Sequence, residues 1–406
     1  MTNGEDILVG LDVGTTKICT IVAEIIDNKR VDIIGVGSHP STGLKKGMVV
    51  NIESTVNAIK RSVEEAELMA GIDIDSVYTG IAGGHIKGFN SRGVLAVKDR
   101  EVSRADIEKV LEAARAQAIP LDREILHVLP QEFIVDSQDG IKDPLGMSGV
   151  RLEVLVHIIT GAVTAAQNIE KSIQRAGLSV REMILQPLAS SEAILTQEEK
   201  ELGVGVVDIG GGTTDIATFV DGGIRHTAVL PIGGNHFTND IAIGLRTPRS
   251  EAERIKISHG CASVESMEEE IKVDVPSVGG RPHRNLSGRL LAEIIEARAE
   301  ELFSLVAQEI EKMKDEDRIA SGMVLTGGAS SFKGMVEVAE RVLGLPVRTG
   351  NPSGIDGLVD VVNAPGFATG IGLTLYAFRN RDEKEVRRNG KRRMFYRMKE
   401  WVKDFF

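Results

Sequence analysis

Cysteine is almost missing from this chain: Cys19 and Cys261 are the only two in 406 residues, and neither has metal-ligand spacing around it. Two cysteines cannot build a disulfide framework, so stability has to come from burying apolar surface, and a reducing compartment fits best. Long apolar runs are missing too. No stretch reaches the ~18 or more consecutive apolar residues of a membrane-spanning helix. Residues 1–5 are polar and no apolar run of signal-peptide length precedes Asp12, so the expectation is a cytoplasmic protein that does not cross a bilayer. Nor is there an excess of positive charge. Lys and Arg number 48 against 59 Asp and Glu, a net charge of −11, which argues against general nucleic-acid binding.

What remains is ordinary in bulk and uneven in detail. Hydrophobic residues make up 42 % and charged residues 26 %, as in soluble globular proteins. The length exceeds what one compact core holds, so two or more domains are expected. Residues 379–406 carry eleven Lys or Arg against five Asp or Glu, a local charge of +6 that leaves −17 on the rest. A basic tail on an acidic body points to local electrostatic attachment.

An internal repeat organises the body. The first copy reads Ile7-Leu-Val-Gly-Leu-Asp12-Val-Gly14-Thr15-Thr16-Lys17 and the second Val204-Gly-Val-Val-Asp208-Ile-Gly210-Gly211-Gly212-Thr213-Thr214-Asp215, 196 residues later. Each continues as an apolar segment, a turn and a further apolar run, predicting strand, loop, strand, turn, strand twice over. Glycine lets backbone N–H groups approach phosphate oxygens, threonine hydroxyls add donors, and Lys17 supplies a positive charge. Asp12 and Asp208, at strand ends, suit a Mg²⁺ ion held directly or through water. Either loop alone could be a glycine-rich hairpin turn; two matching loops point to a clamp on a polyphosphate.

Three further segments fit such a site. Gly327, Gly328, Ala329 and Ser330 follow the apolar run 323–325, where backbone could approach an adenosine. Glu253 and Lys256 share a helix face, either at a nucleotide or as a solvated salt bridge. Gln186 follows the strand-like run 183–185 and by itself reads as a loop residue.

Together these segments resemble the actin-like ATPases, and the resemblance covers most of residues 5–378. It implies an α/β fold of duplicated mixed-sheet domains of ribonuclease-H type that binds ATP and Mg²⁺. Residues 12–17 and 208–214 correspond to its two phosphate loops and 327–330 to its adenosine motif. Gln186 falls where the family positions a water, and Glu253 with Lys256 where it contacts ribose or base. The stretch from His127-Val-Leu-Pro130-Gln131-Glu132 through Asp143-Pro144-Leu145-Gly146-Met147 to Glu153, with 71–84 and Gly233-Gly234-Asn235 through 245, is similar to the bacterial FtsA family.

That family resemblance implies a filament-forming adaptor that self-associates into protofilaments and joins other division proteins. It tethers the tubulin-like protein FtsZ to the inner membrane face. By analogy, 1–83 and 162–197 form the first nucleotide-binding subdomain and 84–161 a relocated small subdomain. Residues 198–226 and 304–378 form the second, with 227–303 inserted in it. Asn239, Asp240, Arg298 and Glu301 are the implied contacts for the FtsZ carboxyl-terminal peptide, although Arg298 alone could equally be a surface salt-bridge residue. Weak ATP hydrolysis at most is expected. A pilus-type actin-like scaffold and a small-molecule kinase remain as alternative functions.

Residues 379–390 are nearly all polar and read as a charged linker. In 391–406, a helix would gather Met394, Phe395, Met398, Trp401, Val402, Phe405 and Phe406 within an arc of about 140°, with five basic residues outside it. Five of the fifteen aromatics, including the single Trp, sit in these sixteen positions. Sixteen residues are marginal for an isolated helix, and Lys391 to Arg393 at its start oppose the macrodipole. Such a helix is completed by docking, and a membrane surface fits it, with those seven residues at the headgroup boundary and the basic ones facing anionic lipid; a protein groove and the protein's own core are the alternatives.

Overall fold

A computed structural model of the protein describes residues 6–26, 30–267, 271–279, 281–313 and 319–381; the predicted amphipathic helix 391–406 and all but the first three residues of the linker lie outside them. Two five-stranded sheets of one topology carry the fold, and the first gains a sixth strand. In the first lobe the order is Ser179–Leu185, Ser76–Ile81, Ile7–Val13, Lys17–Ile26, Arg30–Pro40. In the second it is Met323–Thr326 and Val347–Thr349 on one side of Val204–Ile209, with Thr214–Val220 and Gly223–Leu230 on the other. In both, the first three strands meander antiparallel and the last two add parallel to the first. The sequence repeat is therefore a repeat of whole sheets. Every residue of Val204–Ile209 and Thr214–Val220 is buried, as expected for central strands covered on both faces.

Helix Gln186–Ile194 joins the lobes, and one apolar cluster runs through it from Leu11 and Ile21 of the first sheet to Val206 and Phe219 of the second. A second cluster fills the far side of the second lobe around Phe237, Leu291 and Phe303. Past residue 350 the chain returns to the first lobe. Asp356–Gly357 pairs parallel with Arg30–Pro40, and helix Ala368–Arg379 lies on Ile7–Val13 and on Gln186–Ile194. Its approach is close: a Cβ on Gly372 would come 1.9 Å from the Ala189 carbonyl oxygen. Of the segment 304–378 expected in the second lobe, the part from Asp356 onward thus packs against the first. The boundary at 303/304 also falls inside one helix, Gly288–Ile310, whose buried stripe runs unbroken through Leu302, Phe303 and Val306.

Two insertions elaborate this frame. Between Ile81 and Val163 lies a four-stranded antiparallel sheet, ordered Lys87–Ala96, Arg151–Ala162, Arg123–Val135, Gln138–Ile141, with helix Arg104–Arg115 on one face and its own core. The second insertion, after Leu230, contributes helices Gly234–Gly244 and Arg249–His259 and the hairpin Lys272–Val275 with Arg284–Ser287. The inserted sheet meets the edge strand Gly223–Leu230 through a buried polar seam. His157 bonds Asn90 Oδ1 at 2.7 Å and Thr227 Oγ1 at 2.8 Å, and Gln131 Nε2 donates to the Ile224 carbonyl at 2.8 Å. No helix among the described residues is long and apolar enough to cross a membrane.

Candidate functional site

The two loops predicted from the repeat adopt one turn. Gly14 N–H donates to the Lys17 carbonyl at 3.0 Å, and 196 positions later Gly210 N–H donates to the Thr213 carbonyl at 3.0 Å. Each loop sits at the end of its sheet's first strand, and the lobes bring them face to face. A Cβ on Gly211 would lie 2.5 Å from Thr16 Cγ2, and one on Gly212 2.8 Å from Thr15 Oγ1. Any larger residue at these two positions would close the space between the loops.

That space opens into a cleft of about 400 Å³. Its walls include Asp12, Gly14, Thr15, Thr16 and Lys17 from the first lobe, and Asp208, Gly210, Gly211, Gly212 and Thr213 from the second. Gln186, Gly234, Glu253, Lys256, Gly327, Gly328 and Ala329 complete the predicted set that lines it. Four predicted residues stand back. Thr214 is buried and donates to the Ile232 carbonyl, and Gly233 packs against Gly210 and Thr213. Ser330 turns inward to the Gly327 carbonyl, leaving Ser331 at the surface of the cleft. Asn235 faces a neighbouring pocket. For Gly327 the reason for glycine differs from the expectation of space for an adenosine. Its φ is +83°, and a Cβ would lie 2.4 Å from Asp208 Oδ1, so it is required by backbone conformation and by the carboxylate behind it.

Electrostatics single out the floor. Burial pushes the Asp12 carboxyl up to about 7, Lys17 opposes the shift and Asp208 adds to it. Asp215 rises to about 8, first through burial and then through the charge of Asp208, against a 3.0 Å hydrogen bond from Thr213 Oγ1. Burial also raises Asp208, opposed by the hydroxyls of Ser190 and Thr369. Oδ1 of Asp215 is buried without a hydrogen-bond partner. Three buried carboxylates with one nearby lysine are short of positive charge. No three acidic or imidazole groups among the described residues converge on one point as a metal cage. Asp12, Asp208 and Asp215 could hold a hard cation, directly or through its waters.

Around this floor, Gln186 Nε2 donates to Asp12 Oδ1 at 2.9 Å from the first turn of its helix. Lys17 Nζ donates to the Gly366 carbonyl at 2.8 Å and stands 4.0 Å above the Phe367 ring. Lys256 Nζ reaches Glu253 at 2.7 Å, Thr238 Oγ1 at 2.9 Å and the Gly234 carbonyl at 3.3 Å. The pair is therefore the intrahelical salt bridge and a cleft wall at once. The sequence pattern ends its second copy on Asp215 but gave that residue no role, and it did not point to Thr369 or the Pro365 to Phe367 turn. Asp215 had a readable signal, since Asp208 and Asp215 are cross-strand partners exactly where the first copy pairs Asp12 with Cys19.

The predicted peptide contacts lie on the second insertion. Arg298 donates to Asp240 Oδ2 at 2.5 Å and Oδ1 at 3.0 Å, and to Glu301 Oε2 at 2.5 Å. Arg298 is thus engaged by two carboxylates. Asn239 points to the pocket shared with Asn235.

Comparison with known proteins completes the description. A family model described as cell division protein FtsA matches residues 205–372, and one described as the SHS2 domain inserted in FtsA matches 83–160. The chain is 53 % identical over 376 residues to cell division protein FtsA of Pseudomonas aeruginosa, covering 93 % of this chain and 90 % of that one. To the Escherichia coli K12 protein of the same name it is 43 % identical over 408 residues, covering 98 % and 96 %. Its fold is similar to a chain of a PilM–PilN type IV pilus biogenesis complex (TM-score 0.66, 18 % identity, 91 % of this chain and 98 % of that). It also resembles MreB5 of Spiroplasma citri bound to ADP (TM-score 0.55, 15 % identity, 95 % and 98 %). These two speak to the actin-like fold alone, so the pilus alternative gains nothing beyond it. The near-full-length identity is what decides, and by it the chain belongs to the FtsA family of cell-division proteins.

Proposed function

We propose that this cell-division protein binds Mg·ATP between its two lobes and serves as a filament-forming adaptor. Its carboxyl-terminal residues would hold the FtsZ ring, through an acidic FtsZ peptide, to the cytoplasmic face of the membrane. The observation that carries the nucleotide part is the pair of matched turns facing each other above three buried, charge-starved carboxylates. Asp12 and Asp208, with Asp215 behind them, would hold Mg²⁺ through water, and the bound ion would neutralise phosphate charge. Lys17 and the loop N–H groups would bind phosphate oxygens. Gln186, fixed to Asp12, would orient a water, consistent with slow hydrolysis at most.

A route from the cleft to the tail supports coupling of nucleotide to attachment. Lys17 holds Gly366 and covers Phe367, immediately before helix Ala368–Arg379. At the far end of that helix Arg379 pairs with Glu192, on the same helix as Gln186. A lysine drawn toward phosphate would let go of the turn that starts the helix leading to the tail. The membrane part rests on the apolar arc of 391–406, whose aromatic residues suit the headgroup boundary and whose basic residues suit anionic lipid at ~1 kcal/mol each. Avidity within filaments would strengthen one weak helix. The test is flotation with anionic vesicles of the intact chain and of a chain ending at Arg379, each with and without Mg·ATP. Only the intact chain should float, less at high salt; equal flotation of both would place the membrane contact elsewhere.

A further inference from the structure

Beside the cleft lies a second pocket of about 550 Å³ whose charge contradicts the rest of the molecule. The chain has eleven more acidic than basic residues, yet among the described residues no carboxylate lines this pocket, whereas Lys45, Lys46 and Arg249 do, beside a His236 that burial holds toward the neutral form and whose Nδ1 accepts from Gly233 N–H. We propose that it is a binding site for inorganic phosphate.

Four features support that ligand. First, the backbone that carries Lys45 and Lys46 is fixed at the first glycine-threonine loop. Lys46 and Gly47 occupy the tip of the hairpin Leu44–Lys45 with Met48–Val49, both with positive φ (52° and 76°), the geometry of a tight two-residue turn. Gly47 N–H donates to Thr15 Oγ1 at 3.0 Å, pinning that tip to the first loop. Second, Arg249 is held from the other side by a 3.2 Å bond to Asn235 Oδ1. It is the first residue of helix Arg249–His259, whose amino terminus has Pro248 at the cap and no side-chain cap hydrogen bond. The helix end adds partial positive charge to a guanidinium whose fork matches tetrahedral oxyanions. Third, neither Lys45 nor Lys46 has an acidic partner within ion-pair distance among the described residues, while Arg298, 49 positions along the chain from Arg249, has two. Fourth, Thr15 and Gly212 line both cavities. The wall is thin there, because a Cβ on Gly212 would already be 3.0 Å from Lys46 Cα.

The site stands without the nucleotide reading; that reading only supplies a source, since a phosphate leaving the loops would enter here. An acidic peptide is the competing occupant. It is disfavoured because one wall of the pocket is made by the two loops themselves, through Thr15 and Gly212.

The test is calorimetric titration of the full chain with inorganic phosphate, with sulfate and chloride for comparison. Lys46→Gln and Arg249→Gln should each weaken phosphate at least tenfold, and the remote Lys142→Gln should not change it. ATP affinity in the same variants should move less than threefold. Unchanged phosphate affinity in both variants, or equal affinity for chloride, would overturn the proposal. The two sources separate in a second arm. If ADP-loaded protein binds phosphate with the same dependence on Lys46, the pocket is distinct from the nucleotide's own phosphate positions; loss of phosphate binding on loading ADP would merge the two and overturn it. Failure of the wild type to bind ATP while it still binds phosphate would sink the nucleotide reading and leave this site intact.

Discussion

Two loops occupy the same place in two copies of one sheet and close with the same 3.0 Å turn, but they divide the charge unequally. The first ends in Lys17 and has neutral Cys19 behind it. The second replaces these with Thr213 and Asp215, the residues 196 positions further on, and puts three glycines where the first has one. Burial pushes the Cys19 thiol up to about 12, so it stays neutral, whereas Asp215 is the carboxylate without a partner for one oxygen. Duplicating a backbone therefore did not duplicate a chemistry. One loop brings the cation and one carboxylate, the other brings room and two carboxylates, and the proposed clamp on Mg and phosphate draws on both.

The sharpest way to break this comparison is to make the copies alike. Cys19→Asp would bury a carboxyl between strands that offer it no donor, at a cost of about 4 kcal/mol. Its denaturation midpoint should fall steeply while Asp215→Cys shows no such fall; equal stability would mean that the two buried positions are not distinguished by the donor that Thr213 offers to Asp215.

Next in size is the division of phosphate contacts. Lys17→Met removes a charged donor and should weaken ATP by roughly 100-fold. Thr213→Val, at the equivalent position, removes a neutral hydroxyl that donates to Asp215 and should cost about fivefold. Calorimetry giving the reverse order would reassign the loops.

The lobes also differ at their third strands, since Gly223–Leu230 is covered by the inserted sheet through His157. Burial, and then the charge of His226, hold that imidazole down at about 4. Unfolded, it titrates near 6.5. Because the folded value is the lower one, its contribution is present above pH 6.5 and is lost as pH falls toward 4. Between pH 7 and 5 the loss should be about 2 kcal/mol, and His157→Gln should flatten that limb in urea titrations followed at several pH values.

The smallest contrast lies in the turns themselves. A Cβ on Gly14 would meet the Lys17 carbonyl oxygen at 2.5 Å, whereas on Gly210 the nearest atom is at 3.2 Å. Gly14→Ala should cost about 2 kcal/mol and Gly210→Ala under about 1 kcal/mol. Equal melting shifts would show that the second loop is no looser than the first.

The sequence by itself determined the repeat, and with it the two loops, the strands that carry them and most of the cleft lining. Those signals are local: buried-strand runs, glycine turns and an aspartate at a fixed offset from each. The family could also be read there, because the segment from His127 to Met147 carries it as a contiguous pattern. Only the tertiary structure decided where Asp356–Gly357 and helix Ala368–Arg379 go, since a short strand and an apolar helix fit either lobe until glycines such as Gly372 permit one close approach. It alone put Gly366 against Lys17, 349 positions apart, and set Lys46 and Arg249 around one pocket. Contacts at such separations depend on how two sheets close on each other, and no periodicity or spacing along the chain encodes that closure.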